Sequence, residues 1–130
     1  FRLDGGATPI PPELPPLAPV PEPIDQPGTT ADIAAGAALF ATNCGSCHAN
    51  FPRAPVPDLT RSGVIRDAAA FQSVVRGGSL EKRGMPSWDD LLDEAQVEQI
   101  RAHLVSQQRA AWEQQGASLP AAPATSEGHL

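Results

Sequence analysis

Apolar residues in this chain recur at helical spacing and nowhere alternate convincingly as a strand would. The clearest run begins at Asp93. Gln96, three residues on, makes a capping-box-like start, and Val97, Ile100, Leu104 and Trp112 keep to one face. A shorter helix is expected after Asp67, which can cap it. Phe71, Val74 and Val75 supply its apolar positions, and Gly77-Gly78 ends it. A first helix is expected over about Thr30 to Thr42, with Thr30 as N-cap, Asp32 at the positive end of the dipole and alanine through the body. Gly36 and Phe40 lie four apart, a small residue and an aromatic on one face that suit close crossing by another helix. The pattern predicts an all-α core with long loops. One of them, Asn50 to Ser62, is broken by Pro52, Pro55 and Pro57.

Composition shrinks the folding unit. Of 130 residues 15 are proline, and nine of these precede position 28. Such a stretch can neither run as a helix nor donate a sheet's hydrogen bonds. The domain is therefore expected over residues 30–112. The 41% hydrophobic content includes 21 alanines, which bury little surface. A core this thin sits near the limit of stability without a staple or a cofactor. Phe1 to Gly6 reads as the end of a strand entering a turn, and a lone strand is not stable by itself. Ala7 to Gly28 reads as an extended polyproline II spacer, roughly 60–70 Å long if fully stretched. A spacer connects things, so a further segment is expected upstream of Phe1. Residues 1–29 are thus a strand remnant and linker, and 113–130 are expected to be a disordered tail.

Charge removes other classes. The net charge of −6 argues against nucleic acid as a partner. Its distribution says more: −3 in residues 1–29, −2 in 113–130 and −1 in the middle, where 8 basic face 9 acidic residues. The longest apolar run, Ala34 to Ala41, is far too short for a transmembrane segment. With neither an initiating methionine nor a leader pattern, the chain is expected to be a processed product or an excised piece.

The chemistry is concentrated in Cys44-Gly45-Ser46-Cys47-His48. Two thiols at this spacing can add to the two vinyl groups of one haem, with the adjacent imidazole directed at the iron. One helical turn brings Cys44 and Cys47 to the same side and His48 follows directly, so one short segment holds three points of the macrocycle. A thioredoxin-type disulfide would need a βαβ context, which the pattern lacks. A structural zinc site would need a fourth ligand, for which His103 or His129 is available, but adjacent Cys47 and His48 are poor chelators of one small tetrahedral ion.

A haem iron with one histidine takes a second ligand for electron transfer, or keeps an open site for small-molecule chemistry. The chain's one methionine, Met85, stands in Arg83-Gly84-Met85-Pro86 between the two later helices. Glycine before it permits close backbone approach, and proline after it fixes the loop. Met85 could instead fill a gap in the core. His103 and His129 are the rival ligands.

Together, Gly36 and Phe40 ahead of Cys44-x-x-Cys47-His48, the Pro57-Asp58-Leu59 string, Gly84-Met85-Pro86 and a last amphipathic helix resemble a class I cytochrome c over about residues 31–108. Arg83 to Ser87, the Pro-Asp-Leu string and the proline-rich linker are similar to the C-terminal cytochrome domains of periplasmic quinohaemoprotein alcohol dehydrogenases. The resemblance implies a fold of short helices around a covalently bound haem c. It implies thioethers from Cys44 and Cys47, a proximal bond from His48, a distal bond from Met85, and a carbonyl of Pro57 (or of Pro55) accepting from His48 Nδ1–H. Arg83, Arg76 and Trp88 are candidates for a haem propionate. This chain has no tyrosine where the family's last helix often carries an aromatic; His103 is expected to pack there against Gly36 and Phe40.

What the resemblance implies in function is one-electron transfer at an exposed haem edge. The donor would be PQQ in an upstream β-propeller, ending in Phe1 to Gly6, and the acceptor an external redox protein or a quinone-linked one. The location implied is the periplasm. Residues 51–88 carry six basic against three acidic residues, and residues 89–112 two basic against five acidic. That asymmetry fits steering of an acidic partner and equally fits ordinary solvated charge. A free-standing soluble cytochrome and a haem enzyme or gas sensor with an open sixth position are the competing functions.

Overall fold

The computed structural model describes residues 12–13, 15–48 and 56–118. The expected strand remnant at Phe1 to Gly6, Pro52, Pro55, His129 and the end of the expected tail lie outside the described residues. Four helices follow in chain order: α1 (Thr30–Asn43), α2 (Gly45–His48), α3 (Ala68–Val75) and α4 (Glu94–Ser118), with 3-10 turns at Leu59–Arg61, Val64–Arg66 and Glu81–Arg83. No strand occurs among the described residues, and the all-α fold is the one the apolar pattern predicts.

Each helix start has a local cause. The cap of α1 is Thr29, one residue before the expected Thr30. Thr29 Oγ1 accepts from Asp32 N–H at 3.2 Å, and Asp32 Oδ2 accepts from Thr29 N–H at 2.8 Å. Reciprocal capping needs the acidic residue three positions after the cap, which selects Thr29. Asp67 caps α3 through Ala70 N–H at 2.7 Å. Asp93 and Gln96 exchange backbone-to-side-chain bonds at 2.8 and 3.0 Å ahead of α4.

The main packing contact is the crossing of α1 on α4. Gly36 is buried there, and a Cβ on it would lie 1.9 Å from Gln99 O and 2.4 Å from the carbonyl carbon. Only glycine lets the backbones approach this closely. One turn on, the Phe40 and His103 rings meet with centroids 5.5 Å apart, tilted by 49°. The apolar core beside the crossing is Ile65, Phe71, Val75, Leu92, Val97, Ile100 and Leu104.

Two departures from the sequence expectation concern the ends of the domain. Helix α4 runs on to Ser118 instead of giving way to a tail at residue 113, and Trp112 is 37% exposed instead of sharing the apolar face. The linker is also not free along its length, because residues 18–28 lie against the domain. Four carbonyls at alternate residues accept hydrogen bonds: Ala18 O from Arg61, Val20 O from Gln115 Nε2 at 3.2 Å, Glu22 O from Arg66, and Ile24 O from Arg109 Nη2 at 2.7 Å. Donors come in turn from the 59–66 loop and from α4, so the segment seats between them. Val20 is buried and closes a second bond with Gln115, N–H to Oε1 at 2.8 Å, and Gln26 Nε2 donates to Ala102 O at 2.9 Å. A proline-rich segment has few N–H groups to offer but keeps every carbonyl. The domain meets it with arginine and glutamine, which supply the missing donors.

Candidate functional site

The cysteine motif stands where α1 ends. Cys44 caps that helix, its N–H donating to Phe40 O at 2.8 Å, and the chain turns at once into α2. Cys47 N–H and His48 N–H both donate to Cys44 O, at 3.1 and 2.9 Å. The two thiols and the imidazole are therefore carried by a single turn. Cys47 is exposed, whereas Cys44 is half-buried against the core. Burial pushes the Cys44 thiol up to about 11, and the neighbouring Cys47 adds to the effect. A thiol so raised stays protonated at neutral pH, unlike the activated thiolate of a disulfide oxidoreductase.

His48 Nδ1 lies 3.3 Å from Pro57 O. A proline carbonyl can only accept, so the ring donates through Nδ1–H and leaves Nε2 with a free lone pair. Pro57 leads into a firmly tied segment. Asp58 Oδ1 accepts from Thr60 N–H at 3.0 Å and from Thr60 Oγ1 at 2.7 Å, capping the 59–61 turn.

Met85 sits in the loop between α3 and α4. Gly84 before it has φ +96°, in the left-handed region that favours glycine, and Met85 N–H donates to Leu80 O at 3.3 Å. The loop is tied back to α3 by Trp88 N–H to Val75 O at 2.8 Å and Ser87 Oγ to Arg76 O at 2.5 Å. Met85 and Cys44 pack on the same core cluster, along with Leu39, Phe40, Leu59, Val64 and Trp88, all half-buried. Cys44 and Met85, from separate segments, thus pack on one apolar cluster, and Cys47 and His48 share the turn that Cys44 begins. That donor set suits a large apolar macrocycle with an iron centre, and the residues fit a haem.

The remaining candidates are dispersed. Arg76 is paired with Asp89 at 2.6 Å, Arg83 is exposed, and Trp88 is half-buried. His103 is turned against Phe40, and burial holds its imidazole below the ordinary histidine range. Among the described residues no three of His, Cys, Asp and Glu group as a metal-ion site. Two surface grooves among the described residues lie elsewhere, one beside Ala68 and Glu94, the other beside Val20 and Gln115.

Sequence reasoning did not single out Gln108 and Arg101. Both are buried polar residues of α4 that reach into the 59–66 loop, Gln108 Nε2 to Thr60 O at 2.9 Å and Arg101 Nη1 to Ile65 O at 3.1 Å. A trace of them was present: at positions 101 and 108, seven apart, they follow Val97 and Leu104 closely enough to share the apolar side of the helix.

Residues 31–104 match the family model described as "Cytochrome C oxidase, cbb3-type, subunit III". Among characterised proteins, the chain is 38% identical over 117 residues to the quinohemoprotein alcohol dehydrogenase ADH IIB of Pseudomonas putida. That alignment covers 83% of this chain and 16% of the dehydrogenase. It is 33% identical over 108 residues to the dehydrogenase subunit of the alcohol dehydrogenase (quinone) of Komagataeibacter europaeus, covering 81% and 14%. The chain therefore spans less than a fifth of the length of these two relatives. Cytochrome c6 of Tetradesmus obliquus is 32% identical over 87 residues, covering 60% of this chain and 93% of that protein.

Proposed function

The chain belongs to the cytochrome c family that this model describes, and from that membership we propose that it transfers electrons through one covalently attached haem c. Cys44 and Cys47 would hold the haem through thioethers, and His48 Nε2 and Met85 sulfur would be the iron ligands. When bound, the haem supplies a one-electron iron couple, which His/Met ligation poises higher than bis-His ligation would. The observation that carries the reading is the contact of His48 Nδ1 with Pro57 O, which favours the tautomer that keeps Nε2 free for ligation. Half-buried Leu39, Phe40, Leu59, Val64 and Trp88, packed on the core beside Cys44 and Met85, would supply an apolar wall for the ring.

The donor in this reading is PQQ in a propeller domain upstream of Phe1, and the setting is the periplasm; the likeness to a quinohemoprotein alcohol dehydrogenase and to a quinone alcohol dehydrogenase subunit supports a dehydrogenase partner. The acceptor is an external redox protein or a quinone-linked one. No helix among the described residues is long and apolar enough to cross a membrane. The near-full coverage of cytochrome c6 favours a second reading, a free-standing cytochrome. The gene decides between them. Propeller repeats upstream support the first, and a signal peptide directly before Phe1 supports the second.

The haem reading is tested on the full chain expressed with the c-type maturation machinery. The expected product keeps its haem through acid–acetone extraction, and its ferrous form resists carbon monoxide until Met85 is replaced by alanine. Rapid carbon monoxide binding by the unmodified protein removes Met85 as a ligand and favours a haem enzyme or sensor.

A further inference from the structure

The segment from Pro57 to Arg66 contains only two short 3-10 turns, yet its first residue must stay at a fixed place against His48. Its internal bonds make it stiff. Besides the Asp58 cap, Arg61 N–H donates to Asp58 O at 3.1 Å and Ser62 N–H to Leu59 O at 3.1 Å. A hold on Thr60 is therefore a hold on Pro57, three residues away.

That hold comes from α4. Gln108 is 0% exposed, and its Nε2 donates to Thr60 O; Arg101 is 7% exposed, and its Nη1 donates to Ile65 O. Two helical turns separate them, so they grip the loop at two points along one face. Neither side chain is there for cheap burial. Gln108 Oε1 has no hydrogen-bond partner among the described residues, and the Arg101 guanidinium needs Glu98 beside it, with Nε 3.0 and 2.9 Å from the two carboxylate oxygens. A leucine at 108 would fill the space without an unpaired oxygen. What the amide adds is the tie to Thr60.

We propose that Gln108 and Arg101 are positioning residues that set the His48–Pro57 hydrogen bond and, through it, the electron richness of the axial imidazole. This rests on the reading of His48 as the proximal ligand. At 3.3 Å the bond is near the long end of the useful range, where a few tenths of an ångström decide its strength. An imidazole that donates a firm Nδ1–H bond is the stronger base toward iron and stabilises its oxidised form. Loosening the loop weakens that bond and raises the midpoint potential.

The test uses the holoprotein of the full chain with Gln108→Leu, Arg101→Met and Arg101→Lys. Val105→Ala serves as control, since Val105 is fully buried on the same helix. The expected result is an upward shift of midpoint potential in Gln108→Leu and Arg101→Met, with exchange of the His48 Nδ1–H proton at least tenfold faster. Arg101→Lys, which keeps a cationic donor for Ile65 O, restores most of both. Val105→Ala lowers the melting temperature and leaves both readouts where they were. If Gln108→Leu does not accumulate, the two Arg101 variants decide the matter. Wild-type potential and exchange in Arg101→Met overturn the proposal, and so does a Val105→Ala shift as large per degree of melting temperature lost. Those outcomes, in a chain that carries haem, leave the haem reading standing. A chain that takes up no haem overturns both.

Discussion

Gly36 meets the Gln99 carbonyl so closely that a single methyl group on residue 36 would sit 1.9 Å from the oxygen. The neighbour is helix backbone, which cannot swing aside as a side chain would. Gly36→Ala must therefore push α1 off α4 and part the Phe40 and His103 rings. Overpacking of this kind costs about 1–3 kcal/mol or more. A melting temperature lowered by several degrees, with reduced holoprotein yield, is the expected outcome in a thermal scan. An unchanged scan would mean that the helices do not cross at this point.

The capping box of α1 predicts acid sensitivity. Hydrogen bonds from Thr29, backbone first and side chain second, and then from Gln99 hold the Asp32 carboxyl below its ordinary value of 3.8. A depressed carboxyl contributes stability that is fully present above that ordinary value and is lost as pH falls through the folded-state value. Thermal unfolding of wild type and Asp32→Asn should differ near neutrality and converge as pH falls through the folded-state value of Asp32. Thr29→Ala, which removes the cap itself, should cost about 1 kcal/mol at neutral pH.

Burial lowers the His103 value from the ordinary 6.5. Below 6.5 the unfolded chain takes up the proton before the folded one, so stability falls as pH drops through the interval between the two values. His103→Phe keeps a ring against Phe40 and cannot titrate. Its advantage over wild type should grow on going from about pH 8 to about pH 5. A difference that stays constant with pH would show that His103 is not shielded as described.

Gln115→Ala leaves the buried Val20 N–H without an acceptor and its carbonyl without a donor. Orphaning a buried group of this kind costs about 1–3 kcal/mol. Amide hydrogen exchange localises the effect. Val20 should lose protection while Val97 and Ile100 in the core keep theirs. Equal loss everywhere would mean that the docked segment unfolds only with the whole domain.

Much of the site was legible because its signals are local. Capping at Asp67 and Asp93, the one-turn spacing of Cys44, Cys47 and His48, and the small residue facing α4 at Gly36 all follow from a few adjacent positions. What escaped the sequence depends on distant partners. Leu91 and Leu92 are neighbours of one kind, yet 69% and 3% exposed, and no periodicity separates them in a loop. The polar end of α4 gave no reason to continue past Trp112 until Gln115 was seen clasping Val20. The linker's adherence was hidden for a related reason. Its contacts are backbone carbonyls, which every residue has, and their donors lie some 40 to 95 positions away.

The alternate-residue seating of that segment also bears on reach. Polyproline II chain covers about 3.1 Å per residue, so the eleven residues 18–28, laid along the body, remove roughly 34 Å from any tether measured to the start of α1. A relay on a shorter lead explores a smaller volume, and its effective concentration at a site within range is higher. The lead also departs from the groove beside α4 and not from the tip of α1. The flank that can turn toward a tethered neighbour is then decided by Arg61, Arg66, Arg109 and Gln115, which grip residues 18–24.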